Sequence, residues 1–519
     1  MRVYEFRVGV QVFTFLSQFK RRLKRNVLFK NALYNSGSFF FASLIQFIAL
    51  PYFIAEIGVI PYGIFVLVTS LFGYYGLFDL GLGQGLIKFV SERSIFNNQH
   101  ELIPGIKSAF WFQAILSFLI SILLFIYSYN IATILNVGAE NLDLTSQAIK
   151  FASLGFFFSS IAAIFSSSLR GFQLYKLTAK IEAVNNTAVS IISILLLYFT
   201  NLPGLYVLVI VSVISSGLVA WAFYYALKKK ILGFNLIPHL DFYLLKKFFK
   251  FSFHIFLSQI SNLFANYIVK FLIGFYAGPA AVSYFSVPQK LLGAFGGLMS
   301  KAANTLMPHV SVLQSEGKEK DIKEMLLKVS FLFSAISIPV CLFISIYSNQ
   351  ILNIWLDETF AKSAWFILSI TCISATIGSF TTIPNQVIIG IGNSKLLGHF
   401  SIITLILYLI LLPLLTKYYL LEGAAFGLLI TSSLLVFYVI IKVLKQLQTS
   451  VPNYFKLVFA THLIPLFVYV LINVLIVLKV NCSDIMKLLI GLFFVFLYYI
   501  WLWAKSRKFL FKLQEDLSL

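Results

Sequence analysis

A succession of apolar runs, each about 20 residues or longer and separated by short polar loops, leaves this chain one kind of fold. A helix needs roughly 20 apolar residues to cross a bilayer. About fourteen such runs lie near 30–56, 60–92, 104–130, 147–171, 177–200, 204–227, 249–276, 280–314, 325–348, 362–391, 397–416, 422–444, 455–478 and 484–504. The second, eighth and tenth exceed what a bilayer requires, so they tilt or project beyond it. The expected fold class is an all-α integral membrane protein with about 14 transmembrane helices. No stretch is left over for a soluble domain. Composition agrees: 11% of residues are charged and 59% hydrophobic, against about 25% charged in soluble domains.

The formal charge of +21 is read by location, because cytoplasmic loops collect Lys and Arg. With the N-terminus inside, cytoplasmic segments hold 32 of the 40 Lys and Arg, and external loops hold four: Lys362, Lys417, Lys479 and Lys487. Both termini are therefore expected in the cytoplasm, and nucleic-acid binding is not expected. The first 29 residues read as a basic amphipathic lead, with no signal-peptide cleavage site. The three cysteines and six histidines are scattered, without metal-ligand or redox spacing.

Internal repetition organises the rest. Gly171 and Gly390, Lys176 and Lys395, and Gly204 and Gly423 are each separated by 219 residues. Each pair holds the same place in a run of six spans. Six is even, so the halves are parallel repeats related by an axis along the membrane normal.

The stretch "YYGLFDLGLGQGLIKF", Tyr74 to Phe89, places Asp79 and three alternate glycines in the second span. A dinucleotide loop requires a strand before the glycines and a helix after them, and here the run lies inside an apolar span. The glycines are expected to allow close helix packing and bending. An ionised carboxylate at mid-membrane costs about 2.5–3.5 kcal/mol on insertion scales. Asp79 should then bond to a neighbouring Asn, Ser or Lys, or else serve in coupling or gating.

Tyr62-Gly63, Asp79-Leu-Gly-Leu-Gly83 with Lys88, and Arg170-Gly171-x-Gln173 resemble motifs of Wzx-type polysaccharide flippases, within the multidrug/oligosaccharidyl-lipid/polysaccharide exporter superfamily. "LDFYLLKKFFKFSF" and "VKFLIGFYAGPAAVSYFSVPQKL" add to the resemblance, which covers nearly the whole chain. One departure is Val269-Lys270, where many relatives have an acidic residue beside the basic one. The resemblance implies two six-helix lobes in a V plus two C-terminal helices. On that division, 1–29 is the lead, 30–230 the N-lobe, 231–248 a cytoplasmic amphipathic linker, 249–447 the C-lobe, and 448–519 the last two spans and a basic tail. The cavity is expected between the lobes, lined by the first, second, seventh and eighth spans.

It further implies transport of undecaprenyl-pyrophosphate-linked oligosaccharide units from the inner to the outer leaflet of a bacterial cytoplasmic membrane. A polysaccharide polymerase and a chain-length regulator are the expected protein partners. In-span cations fit such a cargo, because a cationic cavity offsets the cost of carrying a diphosphate. The candidates are Lys290, Lys301, Arg170, Lys270 and Lys88, with Asn262, Asn266, Gln289 and Asn304 along a sugar path. Snorkelling to the interface is the alternative for the cations, and helix–helix hydrogen bonding for the amides.

Two other readings stand beside this one. A drug or cation exporter of the same superfamily would want acidic cavity residues, and here in-span cations outnumber acids. A polymerase, ligase or acyltransferase would want large external loops or membrane-embedded catalytic groups, and Asp357-Glu358 is an isolated pair. No cofactor and no enzymatic activity are expected. Coupling to a proton or sodium gradient is left open.

Overall fold

The computed structural model describes residues 27–95, 99–231, 233–304, 306–456, 458 and 461–515. Most of the expected lead, 1–26, lies outside the described residues. The outer and inner ends are named for the expected orientation, with the Lys- and Arg-rich side inside.

The first half comprises α1 (Val27–Ile57), α2 (Val59–Gly73), α3 (Tyr75–Phe78), α4 (Leu82–Ile95), α5 (Gln99–Ile126), the short α6 (Ser128–Ile134), α7 (Leu142–Gly171), α8 (Tyr175–Phe199) and α9 (Gly204–Lys230). The second half comprises α10 (Phe242–Leu263), a π-helical turn at Phe264–Ile268, α11 (Val269–Asn304), α12 (Leu306–Ser315), α13 (Glu319–Ile346), the short α14 (Ser348–Trp355), α15 (Glu358–Ile391) and α16 (Ser394–Gln446). A single turn, α17 (Val451–Phe455), leads to α18 (Thr461–Lys479) and α19 (Asp484–Glu515). Among the described residues 11 helices are long and apolar enough to cross a membrane. Three expected spans account for the difference from fourteen. The described apolar part of the first, Ala42–Ile57, is short, while Ile260–Ser315 and Lys395–Gln446 each run through what the sequence reads as two spans. Non-helical breaks at Gly278 and Leu420 interrupt those two long runs. The chain is a multi-pass membrane protein.

Hydroxyls are plentiful in these helices, and many are satisfied within their own helix, as hydrocarbon favours. Ser70, Ser160 and Ser168 donate to carbonyls one turn back at 2.7, 2.8 and 2.9 Å. Phe199, Trp221 and Ile464 are exposed on the outside of the bundle, where lipid would cover them.

The repeat reappears as geometry. A Cβ on Gly171 would lie 2.6 Å from Val90 Cβ and 3.0 Å from the Ile87 carbonyl oxygen; one on Gly390 would lie 2.5 Å from Val310 Cβ and 2.9 Å from the Met307 carbonyl oxygen. These pairs correspond with a 219- or 220-residue offset. Gly58 and Gly278 match too, with φ of 87° and 81°. So do Tyr127 and Tyr347, which precede α6 and α14 with φ/ψ of −89°/13° and −96°/18°.

One core joins the two halves at the outer end, packing Tyr62, Leu67 and Ala148 of the first with Ile273, Phe285 and Ala364 of the second. Toward the inner end the core divides. Leu86, Ile106, Phe165 and Phe223 form one cluster, joined by Leu245 and Phe248 at the start of α10. Val310, Leu326, Val387 and Ile440 form another, within the second half. The bundle is thus closed outside and parted inside. Close backbone approach makes the outer seam: a Cβ on Gly63 would sit 1.9 Å from the Pro279 carbonyl oxygen. Ser283 Oγ also donates to the Val59 carbonyl at 2.7 Å.

The segment before α10 lies against the first half. Trp111 Nε1 donates to the Leu236 carbonyl at 3.1 Å, and the Asp241 amide donates to Ser108 Oγ at 2.9 Å. The two last helices attach to the second half through Tyr347, whose hydroxyl donates to Asn473 Oδ1 at 2.9 Å, and Tyr499, whose hydroxyl donates to the Ile336 carbonyl at 2.9 Å.

Candidate functional site

The second span is not one helix. It breaks between α3 and α4, where Leu80 and Gly81 take φ of 51° and 81°. Asp79 sits in that break. Its Oδ1 and Oδ2 accept the Gly83 amide at 3.1 and 3.2 Å, so the carboxylate caps α4, where backbone amides would otherwise be unpaired. The bending expected of the glycines is here a full break, with two residues of positive φ. The expectation that Asp79 bonds to an Asn, Ser or Lys side chain is corrected. The glycines divide the work. Gly81 supplies a left-handed turn that β-carbons disfavour, and Gly83 seats against Ser167, whose Oγ lies 2.9 Å from where its Cβ would be. The corresponding stretch of the second half, within Val269–Asn304, has no break after Gly278. The interruption belongs to the first half alone.

Beside it lies a cavity of about 880 Å³. The first half supplies most of its wall, from α1, α2, α4, α7, α8 and α9, while the second supplies Asn262, Leu263, Asn266, Tyr267, Lys270 and Lys290. The expected first, second, seventh and eighth spans all contribute. The fourth, of which sequence reading offered only Arg170, and the fifth and sixth, which it did not include, contribute as much. The π turn Phe264–Ile268 widens the helix where Asn266 and Tyr267 face the space. Such turns recur at functional sites.

Of the five candidate cations, three line this cavity: Arg170, Lys270 and Lys290. Arg170 Nη2 pairs with Glu182 Oε1 at 2.7 Å. Lys270 lies over the Tyr267 ring, 5.7 Å from its centroid. Lys290 Nζ donates to the hydroxyl of fully buried Tyr62 at 2.7 Å. Lys290 also acts electrostatically on Lys270, and among the described residues neither has an ion pair. Lys88 is exposed and pairs with Glu92 at 3.7 Å. Lys301, near the inner end of α11, lies outside the cavity wall, in the field of Glu182. Of the amides, Asn262 and Asn266 line the cavity. Gln289 does not, and Asn304 accepts from Gln386 at 2.7 Å.

Sequence reading missed Glu182, Asn185, Asn186, Gln46 and Gln84, all on the wall. Glu182, Asn185, Asn186 and Val189 lie at i, i+3, i+4 and i+7 and so share one face of α8. The signal was the stretch "IEAVNNTAV". A smaller cavity of about 220 Å³ continues from Gln46 and Lys290 between α1 and α11, lined by Phe47, Leu50, Gly293, Ala294 and Trp355.

The fold is shared with solved transporters. The lipid II flippase MurJ, in an inward closed conformation, matches with TM-score 0.69 over 92% of this chain and 99% of that chain, at 16% identity. An inward-facing MATE family transporter of the MOP superfamily matches with TM-score 0.61 over 80% and 94%, at 14% identity. In sequence, a Shigella flexneri protein named for O-antigen transport is 24% identical over 400 residues, 77% of this chain and 93% of the relative. The family model described as polysaccharide biosynthesis protein matches residues 57–364. That match takes in the capped break and most of the cavity wall, and on its strength this chain belongs to the polysaccharide biosynthesis protein family.

Proposed function

We propose that the protein is a flippase, not an enzyme. It carries undecaprenyl-pyrophosphate-linked oligosaccharide units from the cytoplasmic to the outer leaflet for a surface polysaccharide such as O-antigen, capsule or exopolysaccharide. The observation that carries this reading is the pair Lys270 and Lys290: two ammonium groups facing one cavity, with no carboxylate partner among the described residues. Such a pair repels itself and is costly in a membrane. A diphosphate relieves both costs at once. Membership of a polysaccharide biosynthesis family, the relative named for O-antigen transport, and a fold shared with a lipid flippase all favour this cargo.

The head group enters the parted inner end and places its diphosphate between Lys270 and Lys290. Arg170 and Lys301 near the mouth guide it inward. The halves then rock about this site, opening the outer seam as the inner end closes. The chain sits in a bacterial cytoplasmic membrane with both termini inside, beside the polymerase that consumes its product. A cation exporter of the same fold is less well served, because the two cavity carboxylates are engaged: Glu182 by Arg170, and Asp79 by the Gly83 amide.

The test is deletion of the gene in its own host. Loss of surface polysaccharide, with the lipid-linked unit trapped on the inner leaflet, is expected. Unchanged surface polysaccharide, with new sensitivity to cationic compounds, would favour the exporter.

A further inference from the structure

The cavity has two unlike walls. The lysines stand on one. The other, formed by α4, α7, α8 and α9, holds its charged groups in contacts of their own: Arg170 pairs with Glu182 at 2.7 Å, and the Asp79 carboxylate accepts from the Gly83 amide. Uncharged groups are left. The carboxamides of Gln84, Asn185 and Asn186 face the space, and among the described residues none has a hydrogen-bond partner. Each carries two donors and a carbonyl with two lone pairs. Beside them Ser212, Ser215 and Ser216 donate into their own helix at 2.8, 2.9 and 2.7 Å, which leaves only lone pairs turned toward the cavity.

In a membrane an amide ordinarily bonds to a neighbouring helix. Three that do not, gathered on one cavity wall, are arranged for a ligand that both donates and accepts. Phosphate matches only half of this wall: it would take the amide donors but strand their carbonyls and meet the serine lone pairs. An apolar compound would strand the amides at a cost of about 1–3 kcal/mol each. A sugar fits, since every hydroxyl both donates and accepts and the ring carries no charge. A volume of about 880 Å³ falls within the roughly 300–1,000 Å³ that compact ligands occupy. A few sugar rings fit, and a polymer does not.

We infer that Gln84, Asn185 and Asn186 form a saccharide subsite, which selects the sugars nearest the diphosphate. The inference rests on the flippase reading, with Lys270 and Lys290 as the diphosphate site, and it assigns choice of cargo to the amides and general affinity to the lysines.

The experiment measures binding to the full chain in lipid nanodiscs. One probe is undecaprenyl diphosphate alone; the other is the same lipid bearing the host's own repeat unit, extracted from a polymerase-deficient strain. The natural protein should bind the glycosylated lipid about tenfold tighter, the return of one or two well-placed hydrogen bonds. Asn185→Ala combined with Asn186→Ala should abolish that preference and keep the affinity for the bare lipid. Lys290→Gln should weaken both. Affinity for the bare lipid reports that the double variant is folded; if it is lost, Gln84→Ala on a different helix carries the same test. A preference that survives in the double variant, or in Gln84→Ala where the double variant does not fold, overturns the subsite. Equal binding of both lipids by the natural protein overturns the subsite and leaves the flippase standing. Binding of neither overturns the flippase reading itself.

Discussion

Asp79 shows what a residue's surroundings add to its identity. In the sequence it is a carboxylate at mid-membrane. In the fold it is a helix cap, because Leu80 and Gly81 turn the chain and bring the Gly83 amide to it at 3.1 Å. Capping predicts a graded response. Asp79→Asn keeps an acceptor and should hold most of the stability. Asp79→Ala should lower it by about 0.5–2 kcal/mol, as loss of an N-cap does, measurable as a fall in Tm of the purified protein. If Asp79→Asn removes the dependence of transport on a proton or sodium gradient while Tm holds, the carboxylate serves in coupling as well. Tyr62 yields a second prediction. Its buried hydroxyl accepts from Lys290 at 2.7 Å, which gives the Tyr62-Gly63 motif a physical role: the tyrosine aims the lysine, and the glycine admits Pro279. Tyr62→Phe keeps the charge but frees the ammonium. Transport should fall by several-fold, about the worth of one hydrogen bond to a charged group, and less than it does on loss of the charge. Lys270, Lys290 and Asp79 stood out in the sequence because ionisable groups are rare in apolar runs, but Lys88 and Lys301 stood out equally and lie off the cavity wall. Asn185 and Asn186 were passed over because the candidate in-span amides lie on the seventh and eighth spans, beside the lysines, and the fifth span was not expected at the cavity.

Among the elements, the repeat was legible through Gly171 and Gly390, and their matching seats against Val90 and Val310 explain why glycine recurs. Helices α7 and α15 press onto the preceding inward-running segment at the same point in each half. The broken second span was not legible, because apolar periodicity continues across it and the break needs only two residues of positive φ. Gly63 supports a sharper prediction. With the Pro279 carbonyl 1.9 Å from any Cβ, Gly63→Ala forces the outer seam apart. Overpacking of this kind costs about 1–3 kcal/mol, here charged to the outward-closed state alone. The variant should shift toward outward opening, read as faster alkylation of a cysteine placed at Val287, which is buried in the seam. Alkylation at the unchanged rate, with normal stability, would mean that the seam yields without opening.

For the whole molecule, the placement of the core predicts the motion. A core shared by both halves at the outer end, against separate cores for each half at the inner end, leaves the inner ends free to converge. Spin labels at Glu92 and Glu316, exposed near the inner ends of opposite halves, should move closer when glycosylated lipid diphosphate is added. An unchanged distance would argue against rocking. The membrane class, the two halves and the shared exporter fold followed from apolar runs, spacing and motifs. The share of the cavity wall held by α7, α8 and α9 did not, because serines and amides in a span serve helix–helix contacts as readily as a cavity, and only the packing tells which. The central claim is that charge in the cavity carries the diphosphate, and Lys290 tests it most directly. Lys290→Gln should reach the membrane in normal amount yet lower surface polysaccharide about tenfold or more, the equivalent of 1.4 kcal/mol, with lipid-linked units accumulating on the inner leaflet. Lys290→Arg, which keeps the charge, should retain more function than Gln. Normal export by Lys290→Gln would contradict the account.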